Sequence, residues 1–309
     1  MSISSETATA YEPNTARQAA PSPTRPFYWS VRRELWEHRA IYIAPLVVAG
    51  LILLGFVIRI LHFPQMVRTA VALPPMEQNL YFAAPLAIAS ASIALTGLIV
   101  AFFYCLGALY NERRDRSILF WKSLPVSNVT TVLSKAFVPF VALPAVIFAV
   151  ALATQLVMLL LGSAVLAANG VSPATLWNHW PMFKTTVVLL YGLVVMTLWY
   201  APIYGWLLLV SSWARSMAIL WAVLPPLGLC IAERIAADSS YFASLLDYRV
   251  NGYLSEAFHY TKGTNPLDDP FMLMTPARFA GTPGLWIGLV VGVAFLAGAI
   301  WLRRNREPI

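Results

Sequence analysis

The sequence predicts an all-α polytopic membrane protein, and three observations carry that prediction. Of 309 residues, 59% are hydrophobic and only 11% charged; mean hydropathy is +0.67, above that of ordinary soluble chains. The apolar residues gather into six stretches of the length, about 20 residues, that crosses the hydrocarbon core of a bilayer as a helix. They lie near 40–61, 83–110, 137–166, 185–210, 217–233 and 284–302, the fifth being short. The net charge of +7 would raise nucleic acid as a partner for a soluble domain. Here the basic residues flank apolar runs, so membrane topology accounts for them and no nucleic-acid partner is expected.

Residues 1–26 are polar and rich in Ala, Ser, Thr and Pro, with no apolar core before a cleavage site. They read as a disordered cytoplasmic tail and not as a signal peptide. In FYWSVRRELWEHR, residues 27–39, helical spacing puts Phe27, Val31 and Leu35 on one face with Tyr28 beside them, while Arg33, Glu34 and Glu37 fall elsewhere. With Trp29 and Trp36 near Arg32, this predicts a helix in the headgroup plane. The alternative is the cytoplasmic start of the first span. Pro45, Pro85, Pro139, Pro144, Pro202, Pro225 and Pro226 fall in the spans and predict kinks within a bundle, where neighbouring helices satisfy the freed carbonyls.

Orientation follows from Lys and Arg. One side collects the N-terminal arginines, Arg113, Arg114, Arg116, Lys122, Lys135, Arg215 and the C-terminal Arg303, Arg304 and Arg306. The other receives Arg59, Arg68, Lys184, Arg234, Arg249, Lys262 and Arg278. The positive-inside rule makes both termini cytoplasmic, together with the polar strip NERRDRSILFWKSLPVSNVTTVLSK, 111–135. An arginine at mid-bilayer costs about 2.5–3.5 kcal/mol on insertion scales, so the strip is no part of a span. Residues 234–283 form the largest external segment. It contains an amphipathic helix over 239–260, interrupted at Asn251-Gly252, and a turn around Asp268-Asp269; the same stretch also reads as a solvated loop. In the last span Gly284, Gly288 and Gly292 stand four apart. They bare one helix face for close packing, within the chain or against a second copy.

Catalytic signatures are missing. The sequence holds no Walker A, GxGxxG or GxSxG pattern, so no nucleotide site or hydrolase triad is expected in this chain. Cys105 and Cys230 lie in apolar runs and form neither a disulfide framework nor a CxxC site. The four histidines are scattered, so no metal is expected. Glu233 and Arg234, at the end of the fifth span, are neighbours about 100° apart on a helix and read as a span terminus with snorkelling side chains. The spans otherwise hold almost no ionisable groups, which disfavours an ion-coupled mechanism.

The strip is the exception. Ile118, Leu119, Phe120 and Trp121 run among charges, and apolar side chains so placed belong at a membrane interface or against a partner. Pro125 ends a first helical piece, and Ser127 stands as the N-cap of a second that runs into the third span. The segment YNERRDRSILFWKSLPVS, 110–127, resembles the loop between the second and third spans of type-2 permeases of ABC transporters. There a Glu-Arg pair precedes an apolar helix and Pro-Val/Ile-Ser. Glu112, Arg113, Ile118, Leu124, Pro125, Val126 and Ser127 match, and Arg116-Ser117 stands where the family carries a glycine.

The resemblance implies a permease without enzymatic activity or cofactor of its own. It would pair with a second permease chain, identical or related, and with two cytoplasmic ATP-binding subunits that hold ATP and Mg. Its place would be the cell membrane, the bacterial inner membrane in particular. Phe27, Trp29, Val31, Leu35 and Trp36 would belong to the elbow helix. Glu112, Arg113, Asp115, Ile118, Phe120, Trp121, Leu124 and Pro125 would belong to a coupling helix seated on the ATPase, and the family relation makes the transporter an exporter. A self-contained secondary transporter or channel, and a non-transporting membrane scaffold, are the competing classes.

Overall fold

A computed structural model describes residues 24–60, 63–71, 73–115, 126–179, 182–259 and 270–305. These are helical throughout, without a sheet and with one isolated bridge between Phe258 and Met274. Six helical stretches are long and apolar enough to cross a membrane: Ala40–Ile60, Phe82–Arg114, Asn128–Ala168, Met182–Trp199, Ala218–Ala237 and Pro283–Asn305. A polytopic membrane fold follows, since in hydrocarbon a helix satisfies its own backbone. Of the strip, residues 116–125 lie outside the described residues, as does the 268–269 turn.

Helix α1 (Thr24–Glu37) precedes α2 (Ala40–Ile60), the first span; short α3 (Phe63–Val71) then leads to α4 (Pro75–Ala108). At 34 residues α4 reaches about 51 Å, so it projects well beyond a hydrocarbon core of about 30 Å. The chain then forms α5 (Tyr110–Arg114) and, past the strip, α6 (Asn128–Phe137). Ser127 caps α6 as its sequence position suggests, its Oγ accepting from the Thr130 amide at 3.0 Å. A π-helical turn, Val138–Ala142, joins α6 to α7 (Leu143–Ala168). Pro139 and Pro144 lack amide hydrogens, and the wider turn absorbs the interruption without breaking the span.

After α8 (Ala174–His179) come α9 (Met182–Trp199) and α10 (Ala201–Trp213). The single stretch expected at 185–210 is thus two helices meeting at Tyr200, because Pro202 denies that turn a backbone bond. Tyr200 and Tyr204 amides still reach back to Met196 and Tyr200 carbonyls at 3.0 Å, so helical hydrogen bonding carries on across the junction. Helices α11 (Ala218–Ala237), α12 (Tyr241–Ala257), α13 (Pro276–Gly281) and α14 (Pro283–Asn305) complete the fold.

The core sits where α2, α4, α7, α10 and α14 meet, around Ile93, Cys105, Ile147, Trp199 and Leu208. Cys105 is a buried free thiol there. Helices α10 and α14 approach most closely: a Cβ on Gly205 would lie 2.8 Å from the Gly292 carbonyl oxygen. Gly292 thus does serve backbone approach, with Gly205 as its partner. Gly284 and Gly288 instead receive side chains of α12, since added Cβ atoms would strike Tyr248 and Arg249.

That helix runs unbroken through Asn251-Gly252, against the interruption expected there. Gly252 is needed for close approach, because a Cβ would sit 3.1 Å from the Trp199 ring. The Trp199 indole and Tyr200 hydroxyl donate to the Arg249 and Val250 carbonyls at 2.9 and 2.8 Å. Arg249 returns the contact, donating to the Trp199 and Gly284 carbonyls at 3.2 and 3.0 Å. Burial lowers its pKa from the ordinary arginine value. Glu233, read from sequence as a snorkelling terminus, accepts from the Tyr241 and Phe242 amides at 2.8 Å and so caps α12.

Candidate functional site

At the end of the bundle that carries both described chain ends, four segments distant in sequence converge on a buried ion network. Its centre is Glu112. Helix α4 stops at Leu109 because the buried Ser211 hydroxyl takes the Leu109 and Tyr110 amides at 2.9 and 2.8 Å, substituting for helical acceptors. The one-turn α5 that follows turns Glu112 inward. One carboxylate oxygen lies 2.8 Å from Arg33 and 3.0 Å from the Lys135 ammonium, and the other accepts from Arg303 at 2.7 Å. Helices α1, α5, α6 and α14 are thereby tied at one carboxyl group.

Arg113, about 100° further round, points the other way. Its guanidinium donates to the Ser211 carbonyl at 3.1 Å and to the Ala214 carbonyl, closing the C-terminal end of α10. A cation there satisfies orphan carbonyls and meets the negative end of the helix dipole. The adjacent Glu-Arg pair thus grips two different parts of the bundle.

A second carboxylate, Glu34 on α1, completes the network. It is 1% exposed and accepts from Lys135 at 2.7 Å, from the Tyr104 hydroxyl at 2.9 Å and from Arg33 at 3.1 Å. Lys135, also 1% exposed, therefore bridges both carboxylates. His38 stacks edge-on against Tyr104 at 4.8 Å and reaches the Glu34 carboxylate at 3.7 Å. Burial by itself would lower the pKa of Arg33, but the charges of Glu34, Glu112 and Glu37 outweigh it and hold the guanidinium above its ordinary value. Such charges are tolerated away from water only when paired and hydrogen-bonded, as these are.

Among the residues expected at the strip, Glu112 stands at the centre of the network and Arg113 is buried against the end of α10, whereas Asp115 is exposed and pairs with Arg114 at 3.2 Å. Ile118, Phe120, Trp121, Leu124 and Pro125 lie outside the described residues. On α1, Phe27 meets Phe137 edge-on at 5.8 Å and Leu35 packs against the core. Val31 is half-buried. Trp29 and Trp36 are 58% and 68% exposed. Glu34 departs from the outward-facing polar face that its spacing suggests.

Sequence reading missed Glu34, Lys135 and Arg303 as site members, since Glu34 meets Tyr104 and Lys135 across 70 and 101 residues and Arg303 meets Glu112 across 191. No group of three or more His, Cys, Asp or Glu among the described residues could hold a metal ion. No family model matches the chain, and no curated protein or solved structure matches it significantly.

Proposed function

We propose that this chain is the membrane-spanning permease subunit of an ATP-binding-cassette exporter, worked by separate cytoplasmic ATP-binding subunits. The observation that carries the reading is the anchorage of the strip. The motif residues Glu112 and Arg113 open it, Lys135 closes it, and all three are locked to the bundle by buried charge. A push on residues between them would reach α1, α10 and α14 together, because Glu112 holds Arg33 and Arg303 while Arg113 holds the end of α10. That mechanical role fits the resemblance of 110–127 to the type-2 permease loop. The strip's apolar side chains would seat in the ATPase, and ATP binding and hydrolysis there would tilt the spans.

The positive-inside distribution supports a cytoplasmic position for this end, where ATP is found. Co-expression with a neighbouring gene that encodes a Walker A protein tests the reading. The expected result is a co-purifying complex with ATP-dependent transport in vesicles, and Trp121→Ala should abolish coupled transport while leaving the fold intact. Full transport driven by an ion gradient alone, with the strip replaced by a Gly-Ser linker, would refute it.

A further inference from the structure

We propose that the face of α1 beside the ion network binds the phosphate headgroup of an anionic phospholipid, in the leaflet at the end of the bundle that carries the termini. The binding surface stands on geometry alone and does not depend on the permease reading. Three observations meet there. First, Arg32 is held between two indoles, its guanidinium carbon 5.1 Å from the Trp29 ring centre and 4.8 Å from that of Trp36. Among the described residues it makes no ion pair, so a cation stands preorganised on an outward face without an acid to answer it. Exposed tryptophans flanking an arginine suit the headgroup zone, where an indole has both an apolar and a wet side.

Second, a cavity of about 160 Å³ opens next to this ladder, between α1 and the start of α6. Pro26, Trp29, Ser30, Arg33 and Glu34 line it from α1, and Val126, Thr131 and Ser134 from the chain entering α6. At about 30 Å³ for each water in the liquid, it has room for roughly five water-sized groups, enough for a phosphate. Trp29 belongs to both the ladder and the lining, so one ligand can touch Arg32 and enter the cavity.

Third, the charge does not balance. Among the described residues Arg32, Arg33, Lys135 and Arg303 stand with Glu34, Glu37 and Glu112, four cations to three carboxylates, and the cation left over is Arg32. Glu34, among the lining residues, does not repel an anion strongly, because Lys135, Arg33 and Tyr104 already neutralise and cover its carboxylate. Because Arg33 also donates to Glu112 at 2.8 Å, a bound phosphate would add its charge to the network at the strip's root. Lipid composition would thereby adjust how firmly the strip is held.

Lipid retention by the full-length protein tests this. The protein in detergent is exposed to equal amounts of phosphatidylglycerol and phosphatidylcholine, and native mass spectrometry counts what stays bound. The expected result is preferential retention of phosphatidylglycerol, reduced about fivefold by Arg32→Gln, the effect of one basic side chain at an anionic surface. Thr131→Trp, which fills the cavity, should reduce it similarly. Arg304→Gln, an exposed cation at the same end but off the site, should leave it unchanged, with melting temperatures reporting that all three variants fold. Equal loss in Arg304→Gln would mean diffuse attraction to a basic surface and overturn the proposal. So would complete displacement by inorganic phosphate, which would assign a free-anion site, or a Ser30→Cys to Trp121→Cys disulfide that forms with phosphatidylglycerol still bound, which would give the cavity to the strip.

Discussion

Glu112 holds three cations from three helices within 3.0 Å, and removing its charge leaves Arg303 and Lys135 buried without enough counter-charge. Glu112→Gln should therefore destabilise the protein by about 3–5 kcal/mol, the cost of breaking a buried pair from one side, as read by thermal unfolding in detergent. Removing Glu34 and Lys135 together as Leu and Met should cost less than the two single changes summed, since neither then leaves the other orphaned. Raising salt to about 1 M, where the Debye length is about 3 Å, should barely shift the melting point, because buried pairs are poorly screened. Glycine offers a second residue-scale test. Gly205→Ala sets a methyl 2.8 Å from the Gly292 carbonyl oxygen and should cost about 1–3 kcal/mol by overpacking. Gly50→Ala, with nothing within 4 Å of the new methyl, should cause no loss. Both glycines are equally plain in the sequence, and only the neighbour's backbone distinguishes them.

Among the elements, α12 depends on partners that its own sequence does not name. Its amphipathic pattern was legible from Tyr241, Leu245 and Tyr248, but these side chains are exposed to differing degrees, and the helix is docked by hydrogen bonds to its carbonyls together with Tyr248 and Arg249 seated at Gly284 and Gly288. Trp199→Phe removes the indole donor to Arg249 while keeping most of the ring, so hydrogen exchange across Tyr241–Ala257 should rise without global unfolding. Glu233→Gln should speed exchange of the Tyr241 and Phe242 amides alone, because that carboxylate is their acceptor. Asn251-Gly252 misled as a break signal for a physical reason. Glycine weakens a helix by roughly 1 kcal/mol relative to alanine, and here that cost is offset by the Trp199 ring that only glycine admits. The prolines expected to kink the spans have differing surroundings: Pro139 lies within a π turn and Pro144 just after it, Pro45, Pro85, Pro225 and Pro226 stand inside helices, and Pro202 opens α10 after α9 ends.

The whole bundle puts α1, both roots of the strip, the α10 to α11 turn and the end of α14 together, with α3, α8 and α12 at the opposite end. Arg68 donating to the Asn169 carbonyl at 3.2 Å binds that far end, and the Glu112 network binds the near one. Single cysteines placed in a Cys105→Ala, Cys230→Ala background test the resulting topology. Arg114→Cys and Arg304→Cys should react with an impermeant maleimide only after the cytoplasmic face is opened. Asp247→Cys should react in intact cells. Labelling of Arg114→Cys from outside would reverse the orientation and remove the permease reading with it. The peripheral position of α11, with only Ala218 and Ala222 buried, leaves most of its apolar surface to the membrane or to another chain.

Hydrophobic run length and the sidedness of Lys and Arg are local and additive properties, so the amino-acid sequence determined the helical membrane class and the grouping of the charged segments. The cap at Ser127 and the polar strip were equally readable, since each depends on residues a few positions apart. Which charges meet was decided by the tertiary structure. Coulomb pairing across 79, 101 and 191 residues needs the chain to be folded before the partners exist. For the same reason, Glu34, Lys135 and Arg303 look like ordinary boundary charges in the sequence and become, in the bundle, the ties around Glu112.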